Sequence, residues 1–261
     1  MTLKNLKAFV FDMDGVLYAG SQRLPGAAEL LADLQRRNFP FVLLTNNSTA
    51  TPAKVSARLA EMGMIIAPAQ IITSSLAAVA YLKQLRPDGA RVFVIGEDGL
   101  REPMQAAGFT LADEGPADFV VVGMDRTITY GKLKRATLLI RAGAPFIATN
   151  PDPTYPAPEG LVPGCGALIA ALKTTTGVSP LIIGKPEPAS FQVALQKLGA
   201  EARHTAAIGD RLDTDILGGR RAGLRTILVL TGVTPRHELA TSDIQPDWVF
   251  DNLSELHQAL L

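Results

Sequence analysis

Two aspartates, Asp12 and Asp14, follow the apolar run Lys7 to Phe11, and Gly15 stands directly behind them. Residues two apart in an extended chain project to the same side, so both carboxylates can face one site. Gly15 then lets the backbone turn away. Aspartate has an unperturbed pKa of about 3.9, so Asp12 is ionised at neutral pH and can attack phosphorus without a helper base. Asp14, provided its pKa is raised enough to hold a proton, can protonate the leaving oxygen. It can then deprotonate the water that hydrolyses the resulting aspartyl-phosphate. Asp-x-Asp-Gly alone is a common turn, because Asp and Gly favour turns for local reasons. Its position after an apolar strand, together with three equivalent polar clusters, argues for chemistry instead.

In parallel α/β sheets ligands bind outside the carboxyl ends of the strands, so the polar residue just after each apolar run is the place to search. The second such end gives Thr45-Asn46-Asn47 after Leu44, a hydroxyl, amides and backbone N–H groups suited to phosphate oxygens. The third gives Lys185 inside Gly184-Lys185-Pro186, a cation that can neutralise a transferring phosphoryl group. Alone it reads as a solvated surface lysine. The fourth is Gly209 to Asp215, which places Asp210, Asp213 and Asp215 after Ile208. Hard oxygen ligands of this kind suit Mg²⁺, which binds one or two protein carboxylates, several waters and the substrate's phosphate. Repulsion between an anionic nucleophile and an anionic phosphate is the obstacle, and magnesium with Lys185 would screen both partners.

The elements that must position these residues form a repeating pattern. Short runs rich in Val, Ile and Phe alternate with segments of helical period, the signature of an α/β fold around a mostly parallel sheet. Strands are expected at Lys7 to Phe11, Phe41 to Leu44 and Ile71 to Thr73, with a helix over Ala27 to Arg37. Another helix is capped by Thr51, with Pro52 at its first position and Gly63 behind it. The same grammar resumes with strand Leu181 to Ile183, helix Pro188 to Leu198, strand Thr205 to Ile208, helix Thr214 to Ala222 and strand Thr226 to Leu230. A strand at Trp248 to Phe250 and a final helix close the chain. Between these blocks lies a second βα series: Val92 to Ile95, Glu97 to Ala107, Phe119 to Val122, Lys132 to Ala142 and Phe146 to Thr149. The Pro-rich segment Pro151 to Pro163 is longer than a typical loop of about 4 to 6 residues.

Bulk properties narrow the class. The 261 residues suit one large domain or a core with a smaller unit, and 47% hydrophobic against 19% charged residues is a globular composition. Lys plus Arg and Asp plus Glu are both 25, so no long-range field favours a nucleic-acid polymer or an anionic membrane. No apolar stretch approaches the roughly 18 to 20 residues of a membrane span, and the opening run is too short for a signal peptide, so a soluble cytoplasmic protein is expected. Cys165 is the only cysteine, which excludes an internal disulfide. Gly164-Cys165-Gly166 lacks the preceding strand and third glycine of a dinucleotide site. His204, His237 and His257 have no metal-ligand spacing, and the pairs Arg36-Arg37 and Arg220-Arg221 fit solvated helix faces.

Taken together these residues resemble the haloacid dehalogenase-like phosphatases, in the branch of NagD, the 4-nitrophenyl phosphatases and the phosphoglycolate and pyridoxal phosphatases. The resemblance rests on Phe11-Asp12-Met13-Asp14-Gly15-Val16, Thr45-Asn46-Asn47-Ser48, Thr149-Asn150-Pro151-Asp152, Gly184-Lys185-Pro186, the Gly209 to Ile216 segment and Leu230-Thr231-Gly232-Val233-Thr234. It implies a Rossmann-like catalytic core over residues 1–79 and 180–261 and an α/β cap over 80–179. It implies Asp12 as nucleophile and Asp14 as acid and base. Magnesium would be held by the Asp12 carboxylate, the Asp14 backbone carbonyl and Asp210, with Asp213 or Asp215 orienting the loop or touching the metal. Phosphate would be bound by Thr45, Asn46, Asn47 and Lys185, with Arg211 and Thr214 near it. Relatives often dimerise through the cap.

Asp125 and Arg126 follow one cap strand and Asn150 and Asp152 another, so these four are the candidates for choosing among small phosphorylated metabolites such as nucleotides or sugar phosphates. Two other reactions of the superfamily are open to the same nucleophile. Dehalogenation needs no magnesium and is disfavoured by Asp14 and Asp210, while phosphotransfer to a sugar uses the same set. A non-catalytic phosphate-binding protein would have no need of Asp12 and Asp14, and both are present.

Overall fold

A computed structural model describes residues 2–157 and 160–261, which divide into two compact units. The first comprises Met1–Thr45, Ala53–Ile72 and Lys185–Leu261, the second Asn46–Pro52 and Thr73–Gly184. These bounds differ from the expected division at 79/80 and 179/180, and they place the short segment after Thr45 with the second unit.

The first unit is built on a six-stranded sheet in the order Trp248–Phe250, Arg225–Val229, Thr205–Gly209, Ala8–Phe11, Phe41–Thr45, Ile71–Thr73. Every residue of Ala8–Phe11 and Phe41–Thr45 is buried, as expected of central parallel strands covered on both faces. On one face Val10, Val42, Leu44 and Ala207 pack against Phe191 and Ala194. The last two lie on helix Pro188–Leu198, which opens on proline and ends at Gly199 in the left-handed conformation. Phe9, Phe11 and Phe41 point the other way, with Phe9 stacked on Phe39 at 5.0 Å. Helix Ala27–Arg36 buries Ala27, Leu30, Leu31 and Leu34, the spacing of one amphipathic stripe.

Register decides what this sheet presents. Phe11 pairs with Ile208 and with Leu43, all in parallel strands. Those strands therefore end near one level, and Asp12 and Asp210, which follow two of them, emerge on the same edge as Thr45, the last residue of the third. The Asp12 amide continues the ladder by donating to the Ile208 carbonyl at 2.8 Å. Two details were not expected from periodicity. A small antiparallel hairpin, Tyr18–Ala19 with Gln22–Arg23, follows Gly15. The helix expected over Thr214 to Ala222 instead begins as a wide π-turn, Leu212–Ile216, before Leu217–Arg221.

The second unit has a five-stranded parallel sheet in the order Leu181–Ile182, Phe146–Ala148, Phe119–Val122, Arg91–Ile95, Thr110–Leu111. Phe93, Ile95, Val120, Val122, Ile140 and Ile169 are among the residues of its core. Helix Ser74–Leu85 is capped by Thr73, whose hydroxyl accepts from the Leu76 amide. Helix Tyr130–Arg141 is capped by Thr129 in the same way, through the Lys132 amide. Leu181–Ile182 pairs with Phe146–Ala148 here, whereas the apolar run was expected to restart the first sheet. The Pro-rich segment is no plain loop: Thr154–Ala157 and Gly160–Pro163 form an antiparallel pair, and residues 158 and 159 of that expected loop lie outside the described residues. Among the described residues no helix is long and apolar enough to cross a membrane.

Candidate active site

Lys185 is the hub of the first unit's polar cluster. Its Nζ donates to Asp12 Oδ1 at 2.5 Å and to Asp215 Oδ1 at 2.6 Å, with the lysine and Asp215 side chains almost wholly buried. Burial alone would lower the lysine pKa, but the two carboxylates outweigh it and hold the ammonium charged. A buried charge is stable only when paired and hydrogen-bonded in this way. Asp12 has its pKa raised, first by burial and then by the neighbouring Asp215 and Asp210 charges, with Lys185 opposing. Asp210 is pushed up to about 7 by burial and by Asp215, against the hydrogen bond it accepts from the Val233 amide.

Oxygens of Asp12, Asp210 and Asp215 lie within 4.8 Å of one another. Three carboxylates crowded so closely, two buried and that of Asp12 partly so, with one lysine among them, carry an excess of negative charge. Asp210 Oδ2 accepts from the Val233 amide at 2.7 Å, while Oδ1 is buried and has no hydrogen-bond partner among the described residues. Two glycines leave room for this carboxylate: a Cβ at Gly15 would fall 2.4 Å from Asp210 Oδ2, and one at Gly232 would fall 2.0 Å from it. Gly15 also has φ +79°, a conformation other residues rarely adopt. An orphaned carboxylate oxygen beside two further carboxylates is a donor set that fits a hard divalent cation.

Asp14 stands apart from this trio. It retains solvent-exposed surface, yet the protein atoms crowded around it raise its pKa, against the Arg58 charge and the Tyr18 hydrogen bond. The Tyr18 hydroxyl donates to Asp14 Oδ2 at 3.3 Å. Burial, then the Asp14 charge, push the phenol's own pKa well above that of a free tyrosine, so it is a donor at any physiological pH.

The remaining sequence candidates fall in different places. Thr45 is buried at the end of its strand, and Thr214 is buried in the π-turn. The same turn separates two acids: Asp215 joins the buried cluster and accepts from the Arg211 amide, whereas Asp213 is turned outward in an ion pair with the Arg211 guanidinium at 2.9 Å. Within the second unit, Asn46 Nδ2 reaches both oxygens of Asp152 at 3.2 Å, and the Asn46 carbonyl accepts from Asn150 Nδ2 at 2.8 Å and Ser74 Oγ at 2.7 Å. Asn47 uses its side-chain oxygen to accept from the Thr49 amide, closing a local turn.

Asp125 is buried and bound by Lys132 Nζ at 2.7 Å and by the Thr127 amide and hydroxyl. Arg126 instead is exposed and makes a two-pronged ion pair with Glu97. Tyr18, Arg58, Glu97, Lys132 and Ser74 were not singled out from the sequence.

Comparison with known proteins agrees with this geometry. A family model described as haloacid dehalogenase-like hydrolase matches residues 9–110, and a HAD-hydrolase-like model matches residues 182–256. The chain is 39% identical over 258 residues to the acid sugar phosphatase of Staphylococcus saprophyticus, covering 99% of each protein. It is 40% identical to that of Staphylococcus aureus, covering 97% of each. Among solved structures, a 4-nitrophenylphosphatase from Thermotoga maritima superposes with a TM-score of 0.94 at 38% identity over 99% of both chains. NagD from E. coli K-12 superposes with a TM-score of 0.90 at 37% identity over 98% of both. With relatives this similar along almost their whole length, and a buried Asp–Lys–Asp cluster at the strand ends, the chain belongs to the haloacid dehalogenase-like hydrolases.

Proposed function

We propose that this hydrolase is a phosphatase of small phosphate monoesters that works through an aspartyl-phosphate on Asp12. The observation that carries the reading is the Asp12 carboxylate held at the end of its strand by buried Lys185, beside the partnerless oxygen of Asp210. One oxygen of Asp12 attacks phosphorus. The bond from phosphorus to the ester oxygen breaks, and Asp14 gives its proton to that oxygen. Water then attacks the phosphorus of the aspartyl-phosphate, Asp14 takes a proton from it, and inorganic phosphate leaves with Asp12 restored. Lys185 holds positive charge against the phosphoryl oxygens during both displacements. The raised pKa of Asp14 is of the sense this role needs, since it must hold a proton before the first step.

Asp12, Asp210 and Asp215 would hold Mg²⁺ with the Asp14 backbone. When bound, the ion supplies positive charge that offsets the carboxylates and the transferring phosphoryl group. Thr45, Asn46 and Asn47 are assigned to phosphate recognition, with Arg211 and Thr214 near the phosphate. Hydrolysis is favoured over phosphotransfer because the similar proteins are named phosphatases.

Sugar phosphates are the first esters to test, since the staphylococcal relatives are named acid sugar phosphatases. We assign the choice among esters to Arg126 in the second unit, read as a cap. Asp125 is fully committed to Lys132 and Thr127 and supports the loop. Arg126→Ala is expected to change relative rates across a panel of sugar phosphates, nucleotides, phosphoglycolate and pyridoxal phosphate. Uniformly scaled rates would remove Arg126 from specificity. A cytoplasmic location, as expected from the sequence, and a homodimer formed through the cap, as the family resemblance implies, are part of the same proposal; a monomer mass by sedimentation would contradict the second. The activity itself is tested by phosphate release with magnesium and with chelator, in the native chain and in Asp12→Asn. Equal release by the two proteins contradicts the reading.

A further inference from the structure

Asp14 keeps exposed surface, although protein atoms crowd one side of its carboxylate. Among the described residues one group hydrogen-bonds that carboxylate, the hydroxyl of Tyr18. Tyr18 is itself packed on several sides. Its residue is only 2% exposed, its backbone is tied to the nucleophile loop through the Gly15 amide and the Met13 carbonyl, and the Arg58 guanidinium lies 4.6 Å above its ring. Arg58 is in turn held by the Gly20 carbonyl at 2.6 Å, so hairpin, helix and loop converge on one phenol. The hydroxyl is aimed at Oδ2 alone, which leaves Oδ1 for the substrate. At 3.3 Å the bond is long for O–H···O, as hydrogen bonds to catalytic groups often are before substrate binds.

We infer that Tyr18 is a positioning residue for proton transfer to the leaving group, holding one oxygen of Asp14 so that the other meets the ester oxygen. This rests on the reading of Asp14 as acid and base. Positioning of this kind matters in proportion to how much the leaving group needs a proton. A sugar alkoxide is strongly basic and must be protonated as the bond breaks, whereas 4-nitrophenolate leaves without help. A residue that merely filled space would affect both esters alike.

The test is single-turnover release of the leaving group from a sugar phosphate and from 4-nitrophenyl phosphate, in the native chain, Tyr18→Phe and Asp14→Asn. Phenylalanine keeps the buried ring and its contact with Arg58 and deletes only the hydroxyl. General acid catalysis is worth about 10²- to 10⁴-fold, so losing the orientation of the acid rather than the acid itself should lower the sugar-to-nitrophenyl rate ratio about tenfold, less than Asp14→Asn does. If Asp14→Asn lowers the ratio and Tyr18→Phe leaves it at the native value, Tyr18 only packs and the inference fails while the acid role stands. If Asp14→Asn itself leaves the ratio unchanged, the acid role fails and this inference with it.

Discussion

At Asp210 one carboxylate oxygen accepts the Val233 amide and the other, buried, has no partner, so the side chain is aimed as well as hidden. Gly232 makes that aim sterically possible, because a Cβ there would overlap Asp210 Oδ2. Gly232→Ala is therefore expected to displace the carboxylate and raise the magnesium concentration for half-maximal activity at least about tenfold, the scale seen when groups that orient metal ligands are changed. Titrating activity against magnesium checks this, and an unchanged midpoint would contradict Asp210 as a ligand. Asp12, Lys185 and Asp210 were legible in the sequence because each is the first polar residue after an apolar strand. The buried place of Asp215 was not, since two acids two residues apart in a helical turn face opposite ways and the local pattern does not say which of Asp213 and Asp215 turns inward. Tyr18 escaped notice for another reason: a buried aromatic after a glycine carries the same signal whether or not its hydroxyl is used.

Among the elements, the loop from Asp125 into helix Tyr130–Arg141 shows how a charge can be spent on structure. Burial raises the Asp125 pKa, but hydrogen bonds from Lys132 and Thr127 outweigh it and hold the group below the usual carboxylate value. A folded pKa below the unfolded one means stability that is present above the unfolded value of about 3.9 and lost as pH falls through the folded one. Removing one hydrogen bond to a charged group costs about 1.5 to 3 kcal/mol. Asp125→Asn should accordingly lower the melting temperature at pH 7 and lose part of the further drop seen on acidification below about pH 4. Parallel acid-melting curves for native and variant would count against this loop as a structural anchor. The helical run Lys132 to Ala142 was readable from its period, but the caps Thr129 and Thr73 were not singled out. The tie between Lys132 and Asp125 was not readable either, because it joins a loop to the first turn of a helix and follows from fold rather than period.

Over the whole molecule, the first unit's sheet is assembled from segments at both ends of the chain, and the second unit occupies the stretch between. The α/β class and the parallel order of elements follow from periodicity alone. The boundary did not, because Leu181–Ile182 is an apolar run of the kind that fits either sheet, and pairing partners are not written in a local pattern. It sits three residues ahead of Lys185, so one short connection passes from the edge of one sheet to the charged hub of the other unit. What the account asserts of the molecule is that this hub serves a single covalent event at Asp12. The most direct measurement is the intact mass of the protein quenched during turnover with magnesium, followed by location of the added group. The native chain is expected to carry one phosphoryl group on the peptide containing Asp12, and Asp12→Asn none; a phosphoryl group on any other residue, or one trapped in Asp12→Asn, would contradict the account.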